Sequence, residues 1–253
     1  MAIAEVQKAH FNGTGASGKV VVTFTAPTSG NTLVVTITTE SAGTDTFVTP
    51  AGWNAGRVQN EAALYWKVSN GTETSTDFTW SAGSVTVHAW GIELSGTHAS
   101  APFDSSGYNT FTTNTTATLT TDATAAVADE YAVGQVGMNG ANGGSETASN
   151  SYTLLATGNT RDIAASRTYS GNQGGAVTTD IGWLTTRVGR WIIGSFKPAI
   201  ATPTNYTMDH IKANITFTGK SHTLDPHISG PVDLQYIAGP GFVHTLREHR
   251  TPY

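Results

Sequence analysis

Alternation of apolar and polar residues with a period of two is the feature that most constrains the fold of this chain. Between Lys19 and Thr25, for example, Val20, Val22 and Phe24 fall on one face. No window of twelve or more residues shows a convincing helical period of 3.6. The chain is therefore predicted to be all-β, with helices that are short if present. The strand candidates are residues 19–25, 33–38, 64–68, 85–94, 117–121, 131–138, 152–157, 163–169, 177–184 and 190–196.

Turn-forming sequences separate these strand candidates at intervals of about ten to twenty residues. Examples are Pro27-Thr28-Ser29-Gly30 and Ser69-Asn70-Gly71. About ten short strands with this spacing favour an antiparallel, jelly-roll-like β-sandwich over a parallel α/β sheet. We assign residues 1–200 to this sandwich domain. The segment 137–149, rich in Gly, Asn and Ser, is predicted to be a mobile loop that buries nothing.

The charge balance argues against nucleic acid as a partner. Only 12% of the residues are charged, the net charge is −5 and the pI is near 5.8. No basic surplus is therefore present to neutralise phosphates. Threonine accounts for 43 of the 253 residues, and β-branched residues fit the pleated surface of a sheet. We expect a surface covered with uncharged hydroxyl groups.

The chain contains no cysteine, which excludes disulfides, thiolate metal ligands and cysteine nucleophiles. Its first residues have neither the basic region nor the apolar stretch of a signal peptide. No run of about 18 apolar residues is present, so no membrane-spanning helix is expected. We therefore expect that the protein is made in a cytoplasm and either stays there or leaves by a route other than general secretion, such as assembly into a virus particle.

The sequence changes character near residue 200. Residues 201–253 contain five of the eight histidines and five of the nine prolines, with one further strand candidate at 211–217. The apolar islands here are too short to form a core of their own. Residues 201–253 are therefore predicted to form an extended C-terminal arm that packs on another surface. The apolar residues expected to make that contact are Val232, Leu234, Tyr236, Ile237, Phe242, Val243 and Leu246.

No catalytic motif is recognisable. The nucleophile elbow, the P-loop, the dinucleotide fingerprint and the zinc-protease helix motif are all absent. Glu61 and Glu93 are the candidates for the carboxylate pair of a glycan hydrolase, but a strand glutamate that faces solvent is the commoner explanation. His210, His222 and His227 are the clustered metal-ligand types, and their spacing fits no standard site. We therefore assign no catalytic residue, no metal and no cofactor, and expect that the protein is not an enzyme.

The six tryptophans divide by their position relative to strands and turns. Trp66, Trp90 and Trp191 lie inside strand candidates and are expected to fill the core. Trp53 follows a Pro-Ala-Gly turn and Trp80 precedes a Ser-Ala-Gly turn, so both are expected at an exposed rim. Two exposed indoles there would form a stacking platform for sugar rings. A carbohydrate-binding module for host-surface glycans is therefore the first alternative function.

Several strands with an aromatic residue beside a turn follow one another in a suggestive order. The segments are Ser29–Val35, Thr49–Trp53, Leu64–Val68, Phe78–Trp80, Trp90–Gly96, Gly182–Trp183 and Trp191–Ile193. This series resembles a loose group of jelly-roll-like proteins of tailed bacteriophages, which includes head decoration and minor tail proteins. The resemblance covers residues 1–198 and leaves the arm outside. It implies a structural role in a virus particle and carries no catalytic residues.

These observations together predict a structural component of a bacteriophage virion. A capsid decoration or cement protein comes first, and a tail or baseplate protein second. The arm would attach it to neighbouring subunits, which would be the major capsid or tail protein of the same particle, and we expect homo-oligomers. The alternatives are the glycan-binding module and, after it, a glycan hydrolase.

Overall fold

The computed structural model describes residues 2–15, 18–40, 45–81, 85–122, 129–155, 161–170 and 175–199. Within these ranges the backbone forms fourteen strands and no helix, and accordingly no helix there is suited to crossing a lipid bilayer. The all-β prediction is confirmed. The strands are β1 (Ala4–Gly15), β2 (Lys19–Thr23), β3 (Thr32–Thr39), β4 (Phe47–Val48), β5 (Asn54–Gln59), β6 (Ala62–Val68), β7 (Ser75–Trp80), β8 (Val85–Ser95), β9 (Phe103–Thr120), β10 (Tyr131–Met138), β11 (Thr147–Ala148), β12 (Thr153–Leu154), β13 (Asp162–Thr168) and β14 (Thr178–Phe196).

The strands form three antiparallel sheets. The central sheet has the order β1-β8-β3-β6-β5. The large outer sheet has the order β11-β14-β10-β13-β12, and β9 also pairs with β14. The small outer sheet has the order β2-β7-β4. The predicted antiparallel β-sandwich is therefore present, with a third sheet added to the expected pair.

The central sheet is covered on both faces. Leu33, Val35 and Ile37 of β3 pack with side chains of the small outer sheet. Val34, which points the opposite way along the same strand, packs with Val133 and other residues of the large outer sheet. All eight residues of β3 are consequently buried, which explains why this strand is apolar or threonine at every position.

A third core lies on the far face of the large outer sheet. It contains Val136 of β10 together with Phe111, Leu119 and Trp183 of the two long strands β9 and β14. The pairing of these two strands shifts register on both sides of Arg187, and irregularities of this kind bend a ribbon. The candidates 177–184 and 190–196 are therefore parts of one long, bent strand.

Two glycines lie where a neighbouring group occupies the space that a side chain would need. A Cβ at Gly107 would collide with the carbonyl oxygen of Thr120, because the two halves of β9 come together there. A Cβ at Gly194 would instead meet the flexible end of Leu64, where the central and large outer sheets approach one another. The first obstacle is backbone and the second is a side chain, so only the second can move aside easily.

The segment 137–149 differs from the mobile loop predicted for it. Met138 continues β10 into the core and Asn142 is fully buried. The side-chain NH2 of Asn142 donates to Glu146 Oε1 at 2.8 Å, and Asn142 Oδ1 accepts a hydrogen bond from the backbone N–H of Gly144 at 2.8 Å. Side-chain hydrogen bonds of this kind stabilise turns, so the expectation that this segment buries nothing is wrong.

The last described residues are tied to the connection between β8 and β9. Pro198 forms an isolated bridge with Thr97, and the Ala199 amide donates to the Gly96 carbonyl at 2.7 Å. The chain divides into two units, Met1–Thr202 and Pro203–Tyr253. The predicted arm, residues 201–253, begins two residues before the second unit and lies wholly outside the described residues.

Candidate functional site

A cluster of two histidines and one carboxylate lies between the central and large outer sheets. Antiparallel pairing of β1 with β8 sets His10 opposite Trp90. His88 lies two residues before Trp90 on β8 and therefore on the same face. Asp162, the first residue of β13, pairs with Gly137 at the end of β10 and is almost fully buried.

The distances within this cluster are short. His10 Nε2 lies 3.1 Å from Asp162 Oδ2, and His88 Nδ1 lies 3.3 Å from Asp162 Oδ1. One ligand atom from each of the three residues lies within 4.8 Å of the other two. The side chains of His88 and Asp162 are 2% and 1% exposed, whereas that of His10 is 22% exposed. The cluster is thus buried but reaches the surface on one side.

Further polar groups hold these side chains in place. The Trp90 indole donates to Asp162 Oδ2 at 3.0 Å and stacks on the His10 ring with centroids 4.6 Å apart. His88 Nε2 lies 3.2 Å from Glu40 Oε1, and Arg161 pairs with the same Glu40 carboxylate. Each ring of the cluster is therefore fixed in orientation by at least one neighbour.

The ionised form of Asp162 is favoured despite its burial. Burial by itself raises the pKa of this carboxyl. The interactions with His10, His88 and Trp90 outweigh that effect and lower the pKa below its ordinary value. A buried carboxylate beside two imidazoles can hold a metal ion, or it can form charged hydrogen bonds with protonated rings.

A second buried ion pair lies in the same interlayer space. Arg190 of β14 contacts Glu61 Oε2 at 2.9 Å, with both side chains under a tenth exposed, and it also donates to the Thr39 carbonyl. Gln135 of β10 donates to the His88 carbonyl at 3.2 Å. These contacts join β14 and β10 to the central sheet.

Two carboxyl groups meet at the other end of β10. Glu130 is fully buried and lies beside Asp104, whose carboxylate is 3.6 Å from Lys197 Nζ. Burial and the neighbouring carboxylate of Asp104 raise the pKa of Glu130 to about 8, with Lys197 acting in the opposite direction. Glu130 is thus protonated at neutral pH, because burial and a neighbouring negative charge both disfavour its ionised form.

The two carboxylates considered for a hydrolase belong to separate networks. Glu61 pairs with Arg190 as described. Glu93 is fully buried and accepts hydrogen bonds from the Thr28 amide at 2.8 Å and from Asn31 at 2.6 Å. Glu93 points away from the face that carries Trp90, but the expectation that it faces solvent is wrong. The chain segment around Thr28 covers that face of the sheet.

The two tryptophans expected at a rim are core residues. Trp53 is 7% exposed and Trp80 is 5% exposed. Trp53 packs edge-on against Phe78 with centroids 5.0 Å apart, and Trp80 packs against Phe47. Both indoles lie in the core between the small outer sheet and the central sheet, so neither can stack on a sugar ring and the prediction of their exposure is wrong. Among the tryptophans expected inside, Trp90 and Trp191 are buried, whereas Trp66 is half-buried.

The remaining predicted residues lie beyond the described part of the chain. They are the arm residues Val232, Leu234, Tyr236, Ile237, Phe242, Val243 and Leu246 and the histidines His210, His222 and His227. Their predicted roles remain predictions.

The cluster of His10, His88 and Asp162 was not found by sequence reasoning. The three residues are separated by more than seventy positions each and match no local motif. The available signal was a histidine on each of two strands that pair, which requires their register to be known. Comparison of the chain with models of protein families, with curated proteins and with solved structures finds no match in any of the three.

Proposed function

We propose that this protein is a structural component of a bacteriophage virion that attaches to neighbouring subunits through residues 201–253. Decoration or cementing of the capsid is the first form of this proposal, and a tail or baseplate position is the second. The protein would bind the major capsid or tail protein of its own particle and would itself form homo-oligomers. It would have no catalytic role.

The observation that carries the proposal is the contrast between the sandwich and the sequence that follows it. Side chains between Ile3 and Phe196 build all three cores of the described residues. The chain then continues for 54 residues after Ala199, with apolar islands separated by prolines. Such a segment has the composition of a binding arm, because it offers apolar side chains without enough of them for a core.

The surface of the sandwich is consistent with a passive scaffold. Five of eight positions between Asn109 and Thr116 on β9 are threonine, and most of that stretch is exposed. An uncharged hydroxyl surface forms few strong contacts of its own, so specific attachment would depend on the arm. Each large apolar side chain of the arm that is fully buried would contribute about 1.5–3 kcal/mol, offset by the cost of ordering the segment.

The residues on which the two alternative functions were based are buried. The glycan-binding module rested on Trp53 and Trp80, which are buried. The hydrolase rested on Glu61 and Glu93, which are held in separate buried networks. A glycan-binding role would now require a different exposed aromatic surface.

Quantitative mass spectrometry of purified particles tests the proposal. Tens to hundreds of copies per particle would support a decoration protein, and a handful would support a tail or vertex position. Absence from particles would refute the virion role.

A binding assay then tests the arm. Particles that lack the protein are mixed with the full chain or with a chain ending at Ala199, and circular dichroism first establishes that the shorter chain is folded. We expect only the full chain to bind. Equal binding by the folded shorter chain would refute the role of the arm.

A further inference from the structure

We propose that His10, His88 and Asp162 together bind one divalent transition-metal ion, with zinc as the best match, between the central and large outer sheets. This site is independent of the virion role. It would connect β1 and β8 of one sheet to β13 of the other through metal–ligand bonds.

The first argument is the tautomer of His88. Glu40 is held by Arg161 and can only accept a hydrogen bond from His88 Nε2, 3.2 Å away. A neutral His88 therefore carries its proton on Nε2 and presents the Nδ1 lone pair to the cluster. That lone pair faces Asp162 Oδ1 at 3.3 Å, which places two electron-rich atoms together. A cation between them, either a second ring proton or a metal ion, resolves the repulsion.

The second argument distinguishes the metal ion from the proton. A protonated ring would direct an N–H along the line to the carboxylate oxygen. His88 Nδ1 and His10 Nε2 lie 3.3 and 3.1 Å from Asp162 oxygens, close enough to lower the pKa of that carboxyl, yet within the described ranges neither nitrogen meets the alignment of a hydrogen bond. In a metal site the ligand atoms point at the ion and not at each other, so poor mutual alignment is the expected geometry.

The third argument is the spacing of the donor atoms. With bonds of about 2.0–2.2 Å, two ligands of a tetrahedral zinc ion lie about 3.3–3.5 Å apart. His10 Nε2 lies 3.1 Å from Asp162 Oδ2 and His88 Nδ1 lies 3.3 Å from Asp162 Oδ1, so each imidazole faces a different oxygen of the carboxylate. One ligand atom from each residue lies within 4.8 Å of the other two. Binding would draw the two imidazoles closer together. The side chain of His10 is 22% exposed, and this exposed side leaves a path for the ion and for a fourth ligand from solvent.

The groups that hydrogen-bond to the cluster are of the same types as those that hydrogen-bond to the ligands of known metal sites. A histidine ligand usually donates its second N–H to a carboxylate, which fixes the ring, and Glu40 does this for His88. The Trp90 indole similarly fixes Asp162. Two imidazoles and one carboxylate with no thiolate suit zinc and its first-row neighbours better than calcium or magnesium, which prefer oxygen ligands.

The decisive experiment is a metal titration of the full-length protein after treatment with a chelator. Zinc chloride is added in a calorimeter, and cobalt chloride is added in a parallel absorption experiment that reports tetrahedral nitrogen ligation. We expect one equivalent to bind with a Kd in the micromolar range or below. A hundredfold excess of zinc over that Kd should raise the Tm by about 5 °C or more. Absence of binding would overturn the proposal.

Variants locate the site. His10→Gln is the main variant, because His10 is partly exposed and its replacement should leave the fold intact. We expect it to weaken zinc binding about 100-fold and to abolish the visible cobalt bands. His88→Gln and Asp162→Asn should act in the same way where circular dichroism shows them folded. Unchanged zinc affinity in His10→Gln would overturn the proposal whatever the other two variants do.

Two controls separate this site from the other histidines. His98→Gln removes a histidine whose Nδ1 accepts backbone hydrogen bonds from Ser100 and Ala101, and it should retain the full affinity. A triple replacement of His210, His222 and His227 by glutamine should retain it as well. If the triple variant loses binding while His10→Gln keeps it, the ion belongs to residues 201–253 and the proposal is wrong.

Discussion

Replacement of Glu130 by glutamine should change how the stability of the protein depends on pH. Glu130 is fully buried and lies beside Asp104. In the protonated state its carboxyl can donate to the Asp104 carboxylate, and the side-chain amide of the introduced glutamine would donate in the same place. Glu130→Gln therefore keeps a neutral side chain of nearly the same shape, with a donor beside Asp104, and removes the ability to ionise.

The sign of the effect follows from the direction of the pKa shift. The pKa of Glu130 is about 8 in the folded protein, against an ordinary value of 4.5. Between these values the unfolded chain has lost the proton while the folded protein keeps it, so the free energy of unfolding falls as the pH rises. At about 1.4 kcal/mol per pH unit over about three units, the loss between pH 5 and pH 9 is about 4 kcal/mol. The variant lacks this loss.

Urea unfolding of both proteins at intervals between pH 5 and pH 9 measures the difference directly. We expect the variant to gain about 4 kcal/mol relative to the parent across this range, with most of the change complete by pH 8. Asp77→Asn is the matched control, because it removes a carboxylate whose side chain is 52% exposed, and its difference from the parent should stay flat. Parallel curves for Glu130→Gln and the parent would refute the reasoning.

Three further predictions concern packing and ion pairing. Burial alone would raise the pKa of Glu73, but Lys67 at 2.7 Å and nearby hydrogen bonds lower it to about 2. Glu73→Gln should therefore lower the free energy of unfolding by about 1–3 kcal/mol at pH 7. Its urea unfolding curves should approach those of the parent as the pH falls from 4.5 to 2, because the carboxylate of the parent becomes protonated over that range. A constant difference over that range would contradict this. Gly107→Ala should destabilise the protein by about 3 kcal/mol or more, because a backbone carbonyl oxygen blocks the added methyl group. Gly194→Ala should destabilise it by only about 1–2 kcal/mol, because the obstacle there is a flexible leucine side chain. A lower urea midpoint for Gly194→Ala than for Gly107→Ala would be evidence against this. Trp53→Ala should cost about 3–5 kcal/mol because the indole fills a core, and a loss below about 1 kcal/mol would show that its burial is misjudged.

The sequence predicted best where strands have a clear alternation. β3, β8 and β10 were all found, because their apolar residues recur at every second position or at every position. β1 was missed: Glu5, Gln7 and the residues after them give no regular apolar face. Its place in the central sheet is set by backbone pairing with β8 over almost its whole length. Backbone pairing of this kind does not require a particular pattern of residues, so the local sequence does not predict it.

The candidate site could not be predicted for a related reason. His10, His88 and Asp162 come together only when β1 pairs with β8 in one register and when β13 packs against them from another sheet. A shift of one residue in either strand would move a histidine to the opposite face. The rim positions assigned to Trp53 and Trp80 failed similarly, since local turn signals do not reveal that the small outer sheet covers the central one.

The buried polar contacts suggest what fixes the two larger sheets against each other. Apolar packing between them is non-directional and would tolerate small shifts of one sheet along the other. Three polar contacts that cross this interface would not: Arg190 with Glu61, Asp162 with His88, and Tyr131 with Glu5 at 2.9 Å. Each of them requires one register, and breaking one partner leaves a buried group uncompensated at a cost of several kcal/mol. Only 12% of the residues are charged, yet several of these charged side chains lie in the interior. There, each polar contact disfavours every alternative alignment of the two sheets more strongly than it stabilises the correct alignment.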